Sequence, residues 1–297
     1  MLEIQLRRHF DNPAGGIAYP RCETADELIA EFKLYGLNWR RGLRILETTW
    51  GSPVAAFGFL YSPEDLARGT MIERSDGAVA YSLGPYCFDE DTAVAVECVL
   101  AWMERLAARR FGALRLCVSA ENRALRETVL RRGWAEEEQS LEMVWVAADN
   151  QPPSGARGIW TVLRLTDRDD LRLPQLAVLL ADHFQWSDDR TDRLTEHLAE
   201  GYRIGYVFAE GAVLGACVWL KVAGTDFGRL EYLAVTPEAR RRHIGTSLVH
   251  VALEDLRSAG CKQVFLSMDP SATAARAVYT AHGFVSTLQY STFELSF

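Results

Sequence analysis

Two short stretches carry residue types whose spacing could do chemistry. The first is Leu233-Ala234-Val235-Thr236-Pro237-Glu238-Ala239-Arg240-Arg241-Arg242-His243-Ile244-Gly245-Thr246, lying between a strand-like run and a helix-like one. The free N–H groups at a helix start point outward and carry about half a positive charge. Glycine lets backbone approach a bound group, and arginines add donors that suit phosphate oxygens. The chemistry this predicts is anion binding; the competing reading is a solvated arginine run capping an ordinary turn. Neither GxGxxG nor GxxxxGK[ST] occurs, which disfavours dinucleotide and P-loop sites. The second stretch is Ala275-Arg276-Ala277-Val278-Tyr279-Thr280-Ala281-His282-Gly283-Phe284. A tyrosine here stands four residues before a glycine that ends a helix. Its hydroxyl can serve as a general acid, or its ring can simply pack on the following strand.

The elements that must position these stretches follow from periodicity. A strand over 229–235 feeds the arginine loop. The helix after it, about 245–259, puts Val249, Ala252, Leu253 and Leu256 on one face, the spacing of a buried stripe. A strand over 263–268, a helix over 272–282 and a strand over 284–295 follow. Upstream lie a strand over 159–165, a helix over 174–184 opened by proline, and a charged helix over 190–200. Strands over 202–209 and 212–222 are joined by Glu210-Gly211 as a tight hairpin. The first half repeats this order, with strands over 4–9, 44–50, 54–61, 78–88, 113–119 and 134–146. Its helices fall over 25–35, 92–109 and 122–132. In the long one, Val96, Val99, Leu100, Met103 and Leu106 form the buried side. Gly133-Trp134 and Gly283-Phe284 stand at an offset of 150 residues, and Gly112 and Gly260 at 148. Between the halves, residues 147–158 are polar and rich in Pro and Gly, as a linker is. The expected organisation is α/β, with domains over 1–147 and 159–297 and a linker over 148–158.

Composition narrows the rest. The chain has 297 residues, 48% of them hydrophobic and 24% charged, which suits two globular domains and excludes disorder as the dominant state. The net charge of −8 repels phosphate backbones, so no nucleic-acid partner is expected. Arg240-Arg241-Arg242 is a local exception to that charge. The six cysteines show no CxxC pair and mostly sit in apolar runs, as reduced core thiols do, and no metal site is expected. No apolar run approaches a membrane span and the N-terminus has no apolar signal core, so the expectation is a cytoplasmic protein without a membrane partner.

Together, in this order and spacing, the two stretches resemble the GNAT superfamily of N-acetyltransferases. Arg240 to Gly245 resembles that family's pyrophosphate loop, and Ala275 to Phe284 its following helix with tyrosine and terminal Gly-Phe. His243 stands where the first loop glycine is usual, and Ala272 where an asparagine is common, with Ser271 and Thr273 beside it. The resemblance covers the whole second half, and the first half more weakly. It implies two tandem GNAT-like domains, each a mixed, mostly antiparallel sheet flanked by helices. The tandem form, with a degenerate first half, is similar to that of the mycothiol synthases.

What the resemblance implies for mechanism is an opening between the strand ending at Val235 and the strand over 263–268. Acetyl-CoA, as cosubstrate, would pair with the backbone of Leu233, Ala234 and Val235 and rest its pyrophosphate on Arg240, Arg241, Arg242, His243, Ile244, Gly245 and Thr246. The acceptor would be a primary amine of a small molecule or peptide. Tyr279 is the candidate acid. Glu231 is the candidate base, placed by alternation on the face of Leu233 and Val235; it also reads as a strand-edge carboxylate paired with Arg229 or Lys221. His282 and His250 read as surface or helix-end residues. Trp186 reads either as a substrate-stacking ring, with Asp188 or Asp189 holding an ammonium, or as a packed indole.

In the first half, the repeat offset replaces the arginines with Thr92, Ala93 and Val94, the glycine with Glu97, and Tyr279 with Val129. Asp89-Glu90-Asp91 puts carboxylates at the helix start, neutralising an anion site. The expected function is an acetyl-CoA-dependent N-acetyltransferase with one working site, in the second half. The alternative is a non-catalytic acyl-CoA-binding or regulatory module.

Overall fold

The computed structural model describes residues 24–47, 49–61, 78–87, 92–147, 159–165, 167, 169–186 and 190–297. The expected strand over 4–9, residues 148–158 of the linker, Cys22, Asp89 to Asp91, Asp188 and Asp189 lie outside the described residues. The chain forms two compact units: residues up to Ser140 with Leu288–Phe297, and Leu141–Thr287.

In unit 1, helix α1 (Ala25–Leu34) starts at a capping box, in which the Thr24 hydroxyl accepts from the Glu27 amide at 3.2 Å and the Glu27 carboxylate from the Thr24 amide at 3.3 Å. A single turn, α2 (Trp39–Gly42), leads into β1 (Arg44–Glu47), β2 (Pro53–Leu60) and β3 (Val79–Cys87). Helix α3 (Thr92–Ala107) and strand β4 (Ala113–Ser119) follow, then α4 (Arg123–Arg131) and the start of β5 (Ala135–Val146). The sheet runs β1-β2-β3-β4 and is completed by β11 (Val285–Ser296); among the described residues only β3–β4 is parallel. Val96, Val99, Leu100 and Met103 of α3 are buried over it, as their spacing requires.

In unit 2 come β6 (Leu163–Leu165), α5 (Leu173–Phe184), α6 (Arg190–Ala199), β7 (Arg203–Ala209), β8 (Ala212–Lys221) and β9 (Phe227–Val235). Helix α7 (Ile244–Ser258), β10 (Gln263–Met268) and α8 (Thr273–Ala281) complete it. The sheet order is β5-β10-β9-β8-β7-β6, antiparallel except for β9–β10. Glu210 and Gly211 both take positive φ, which is the geometry of a tight hairpin turn. One sheet face packs on α7 and α8 through Leu230, Leu248, Leu253, Leu256 and Val264. The other packs on α5 and α6 through Leu176, Leu180, Leu194, Ile204 and Val218. Each such side chain contributes about 1.5–3 kcal/mol by leaving water.

Three sequence expectations change. The strand over 159–165 shortens to Leu163–Leu165, because Trp160 and Val162 turn in against the core under α7. The strand over 44–50 ends at Glu47. Cys98 is exposed rather than core, since the buried stripe of α3 runs through positions 96, 99, 100 and 103 and leaves 98 on the outer face. Cys117, Cys217 and Cys261 are buried thiols as expected. Among the described residues, no helix is long and apolar enough to cross a membrane.

Candidate active site

Strand β9 belongs to two pairings of unequal length. Its whole length from Gly228 to Val235 pairs with β8, but its pairing with β10 covers only Phe227–Leu230. The ladder between the two parallel strands ends at Leu230. The parting lies between the strand ending at Val235 and the strand over 263–268, the two strands between which an opening is expected. The point of divergence coincides with a bulge: Leu230 faces Trp219 and Tyr232 faces Val218, leaving Glu231 as the extra residue. The bulge exchanges the faces of the strand. Leu230 packs toward α7, whereas Tyr232 and Ala234 pack toward α5 and α6, and Leu233 and Val235 return to the α7 side.

From Tyr232 to Val235 the side chains alternate between the two faces, and Glu231 is half-buried at the bulge itself. Its carboxylate makes itself felt at Glu200, just after α6. Burial, then the charges of Glu196 and Glu231, push the Glu200 carboxyl above its ordinary range. Lys221 is not the partner of Glu231; its ammonium donates to the Ala259 carbonyl.

After Val235 the chain makes a short 3-10 turn, Pro237–Ala239, with Ala239 buried beneath it. Arg240 is extended, Arg241 is left-handed at φ 60°, and His243 is left-handed at φ 59° as the N-cap of α7. Histidine tolerates this region better than bulkier or branched residues, so the turn exists without the expected glycine. No side chain caps the helix; its first intrahelical bond is Ser247 N–H to the His243 carbonyl at 3.1 Å. The amides of Ile244, Gly245 and Thr246 are therefore the orphan donors of the first turn. Gly245 meets Leu233, Val235 and Val278 side chains, each 3.9 Å from where a Cβ would stand, so the helix start touches β9 and α8 at once.

The three arginines separate. Arg240 and Arg241 are exposed, with Arg240 Nε 3.4 Å from the Val235 carbonyl. Arg242 turns away: its guanidinium lies 5.0 Å over the Trp160 ring and 3.7 Å from the Glu210 carboxylate. Trp160 in turn donates from Nε1 to the Arg242 carbonyl at 2.7 Å. This indole brace spans 82 residues of sequence, and no local signal marks it.

Tyr279 lies on the inner face of α8, only 7% exposed. It shares the core under α7 with Cys217, Leu266 and Phe284, flanked by Leu233 and Val235. Burial, and secondarily the Cys217 thiol, push its hydroxyl well above the ordinary tyrosine range, so it keeps its proton at neutral pH. Ala272 is the N-cap of α8 and offers no side-chain bond. Asn122, the matching residue of unit 1, caps α4 by accepting from the Leu125 amide at 3.0 Å.

His282 is a helix-end residue, the C-cap of α8, but not a surface one. It is 1% exposed, with Nδ1 2.8 Å from the Val278 carbonyl, because the last turn of α8 rotates it under α7. Trp186 is also buried, under the Arg193 guanidinium at 4.6 Å and against Tyr232 at 5.2 Å, which is the packed-indole reading. The rings that sequence reasoning missed are Phe184 and Tyr232, 4.8 Å apart at the end of α5. In unit 1, Glu97 binds Arg131 and Arg132, and Val129 is buried where unit 2 has Tyr279. Among the described residues no cluster of His, Cys, Asp or Glu could hold a metal ion.

Residues 169–284 match the acetyltransferase (GNAT) family. A mycothiol acetyltransferase of Beutenbergia cavernae is 39% identical over 75 residues, a stretch that is 25% of this chain and 25% of that protein. The fold resembles a GCN5-related N-acetyltransferase from Sphaerobacter thermophilus, with TM-score 0.68 and 15% identity, covering 92% of this chain and 85% of that one. It also resembles a tandem GNAT protein from the clavulanic acid biosynthesis pathway, solved without acetyl-CoA. There the TM-score is 0.61 at 14% identity, over 94% of this chain and 89% of that one.

Proposed function

We propose, from the premise that residues 169–284 form a domain of the acetyltransferase (GNAT) family, that this chain is a cytoplasmic N-acetyltransferase. Unit 2 would transfer an acetyl group from acetyl-CoA directly to a primary amine of a small molecule or peptide. The observation that carries this reading is the uncapped, left-handed entry to α7 standing beside the strand parting at Leu230. Orphan helix-start amides favour an anionic pyrophosphate, and the backbone of Leu233 to Val235, beyond the ladder with β10, suits an extended amide-bearing arm.

In this reading Leu233, Ala234 and Val235 pair with the arm, while the amides of Ile244, Gly245 and Thr246 hold the pyrophosphate. Arg240 and Arg241 add charge at the loop surface, and Arg242 and His243 serve by shaping the turn. Acetyl-CoA supplies an acyl thioester already reactive toward an amine, so no side-chain nucleophile is needed. The amine nitrogen bonds to the acyl carbon, the carbon–sulfur bond breaks, and two protons must be managed. Tyr279 holds one at neutral pH and gives it to the departing sulfur. Glu231 at the bulge accepts the one the amine releases. Unit 1 has neither the arginines nor the tyrosine and would do no chemistry.

The test is ligand binding followed by turnover. Acetyl-CoA at about 100 times its Kd should stabilise the protein by about 2.7 kcal/mol, seen as a rise in Tm. A panel of amines, with cysteinyl sugars included because of the mycothiol acetyltransferase match, should then release free thiol. No rise in Tm would remove the proposal. Binding without thiol release from any amine would leave the non-catalytic acyl-CoA-binding module in its place.

A further inference from the structure

The arginine loop holds two left-handed residues that are not glycine, Arg241 at φ 60° and His243 at φ 59°. A side chain keeps such a conformation only where its surroundings fix it. Arg242 stands between the two, and Trp160 fixes it from outside the loop. The Trp160 Nε1–H donates to the Arg242 carbonyl at 2.7 Å, and the Arg242 guanidinium lies 5.0 Å over the same indole. The Trp160 amide donates at 3.4 Å to the Ser247 hydroxyl. That hydroxyl donates in turn to the carbonyl of His243, the N-cap of α7, at 3.1 Å. Trp160 thus ties down the residue between the two strained ones and, through Ser247, the second of them.

The indole is itself held. It packs with Val162 against the core under α7, and Leu163–Leu165, which follows, pairs with β7. Val162 Cγ1 lies 3.1 Å from where a Cβ on Gly205 of β7 would stand, so the entry to β6 lies close on the sheet. Unit 1 lacks the groups that Trp160 engages. At the repeat offset of 148, Val94 stands for Arg242 and Val99 for Ser247, and Val99 is buried. A valine side chain neither donates nor accepts a hydrogen bond. The tie occurs with the arginine loop and its partners are missing from the copy without it.

We propose that Trp160 is a positioning residue for the acetyl-CoA site, its indole N–H doing what a loop glycine usually does. A glycine takes the left-handed turn at no steric cost; here a histidine takes it, and the bond to the preceding carbonyl keeps it there. That bond sets the direction of the Arg242–His243 peptide, and with it the direction of the Ile244, Gly245 and Thr246 amides. Trp160 acts through the loop and not on the reacting atoms. Its part in binding rests on the function proposed above; the ordering of the loop does not.

Two sets of measurements test this. Trp160→Phe keeps a ring on the core and loses the donor. Its Kd for acetyl-CoA, by calorimetry, should rise about tenfold, the upper end of what one neutral hydrogen bond contributes. With an amine that releases thiol, KM for acetyl-CoA should rise likewise while kcat stays within about twofold. Native affinity, or a fall in kcat alone, overturns the positioning role. Adding His243→Gly to Trp160→Phe should recover most of the lost affinity; a double variant as weak as the single one overturns the exchange of indole for glycine. If Trp160→Phe does not fold, Ser247→Ala removes the other tie and should weaken binding about threefold or more; native affinity there overturns the role equally. In the ligand-free native chain, NMR should show the Trp160 indole N–H exchanging with water more slowly than that of Trp50, which is 92% exposed. The amides of Arg242 to Thr246 should shift in the variant that folds. Exchange as fast as at Trp50, or loop amides that do not shift, overturns the tie itself. If the native chain binds no acetyl-CoA, the proposed function fails, while the exchange and the amide shifts still decide the tie.

Discussion

At position 243 a histidine occupies the left-handed turn, at φ 59°, that a glycine usually supplies in loops of this kind. The cost of such a φ for a non-glycine residue is about 1–3 kcal/mol, small enough for the packing of Ile244 and Leu248 beneath α7 to offset. Tyr279 is the residue on which the chemistry can be tested most cleanly. Its hydroxyl is not needed to hold the core, since the ring packs on Phe284 and Cys217. Tyr279→Phe should therefore keep its Tm within about 2 °C while acetyl transfer slows by about a hundredfold or more, the usual contribution of a general acid. Unchanged thiol release under steady-state assay would reject Tyr279 as the acid. Because burial raises this hydroxyl, the proposed transfer should show no loss of rate from its ionisation up to the ordinary tyrosine value near pH 10.

Among elements, the contact of α7 with β8 sets where the helix begins. A Cβ on Gly215 would stand 2.8 Å from Ile244 Cγ2 and 3.0 Å from the Ala234 carbonyl oxygen. Neither the backbone of β9 nor the first buried side chain of α7 can yield cheaply. Gly215→Ala should thus destabilise by about 1–3 kcal/mol and weaken acetyl-CoA binding about tenfold, measured by calorimetry. A variant with native affinity would show that the helix start is not what the ligand grips. Gly215 sits far from the arginine loop in sequence, and only the register of β8 against β9 brings them together. The elements themselves were legible. The apolar stripe of α7 and the Glu210-Gly211 turn are where periodicity put them, because local pattern and burial agree there. The shortened β6 was not, because the strand-like run from Ile159 spends Trp160 on a contact 82 residues away.

For the molecule as a whole, each unit is completed by a strand segment from late in a repeat. Residues 288–297 belong to unit 1, where Phe293 is fully buried and Glu294 pairs with Arg115 at 2.8 Å. Phe293→Ala should cost about 3–5 kcal/mol. The loss should appear in hydrogen exchange as weakened protection of β4, the antiparallel partner of Tyr290–Ser296. The acetyl-CoA-dependent rise in Tm of unit 2 should survive. Loss of protection confined to residues 203–268 would contradict this allotment of the strand.

The sequence by itself reads as one α/β order of elements written twice. Left-handed glycines at 133 and 283, with φ 88° and 89°, end the matching helices, and the arginine loop and tyrosine occur in the second copy alone. Those features are local, since residue type dictates turn, cap and stripe. Tertiary structure alone decided the rest. The bulge at Glu231 puts Leu230 and Tyr232 on opposite faces of the strand, Trp160 takes the Arg242 guanidinium over its ring, and the helix-end His282 is buried in the interior. In each case the deciding contact joins residues distant along the chain, and pairing register and side-chain packing, which no local spacing encodes, set the outcome.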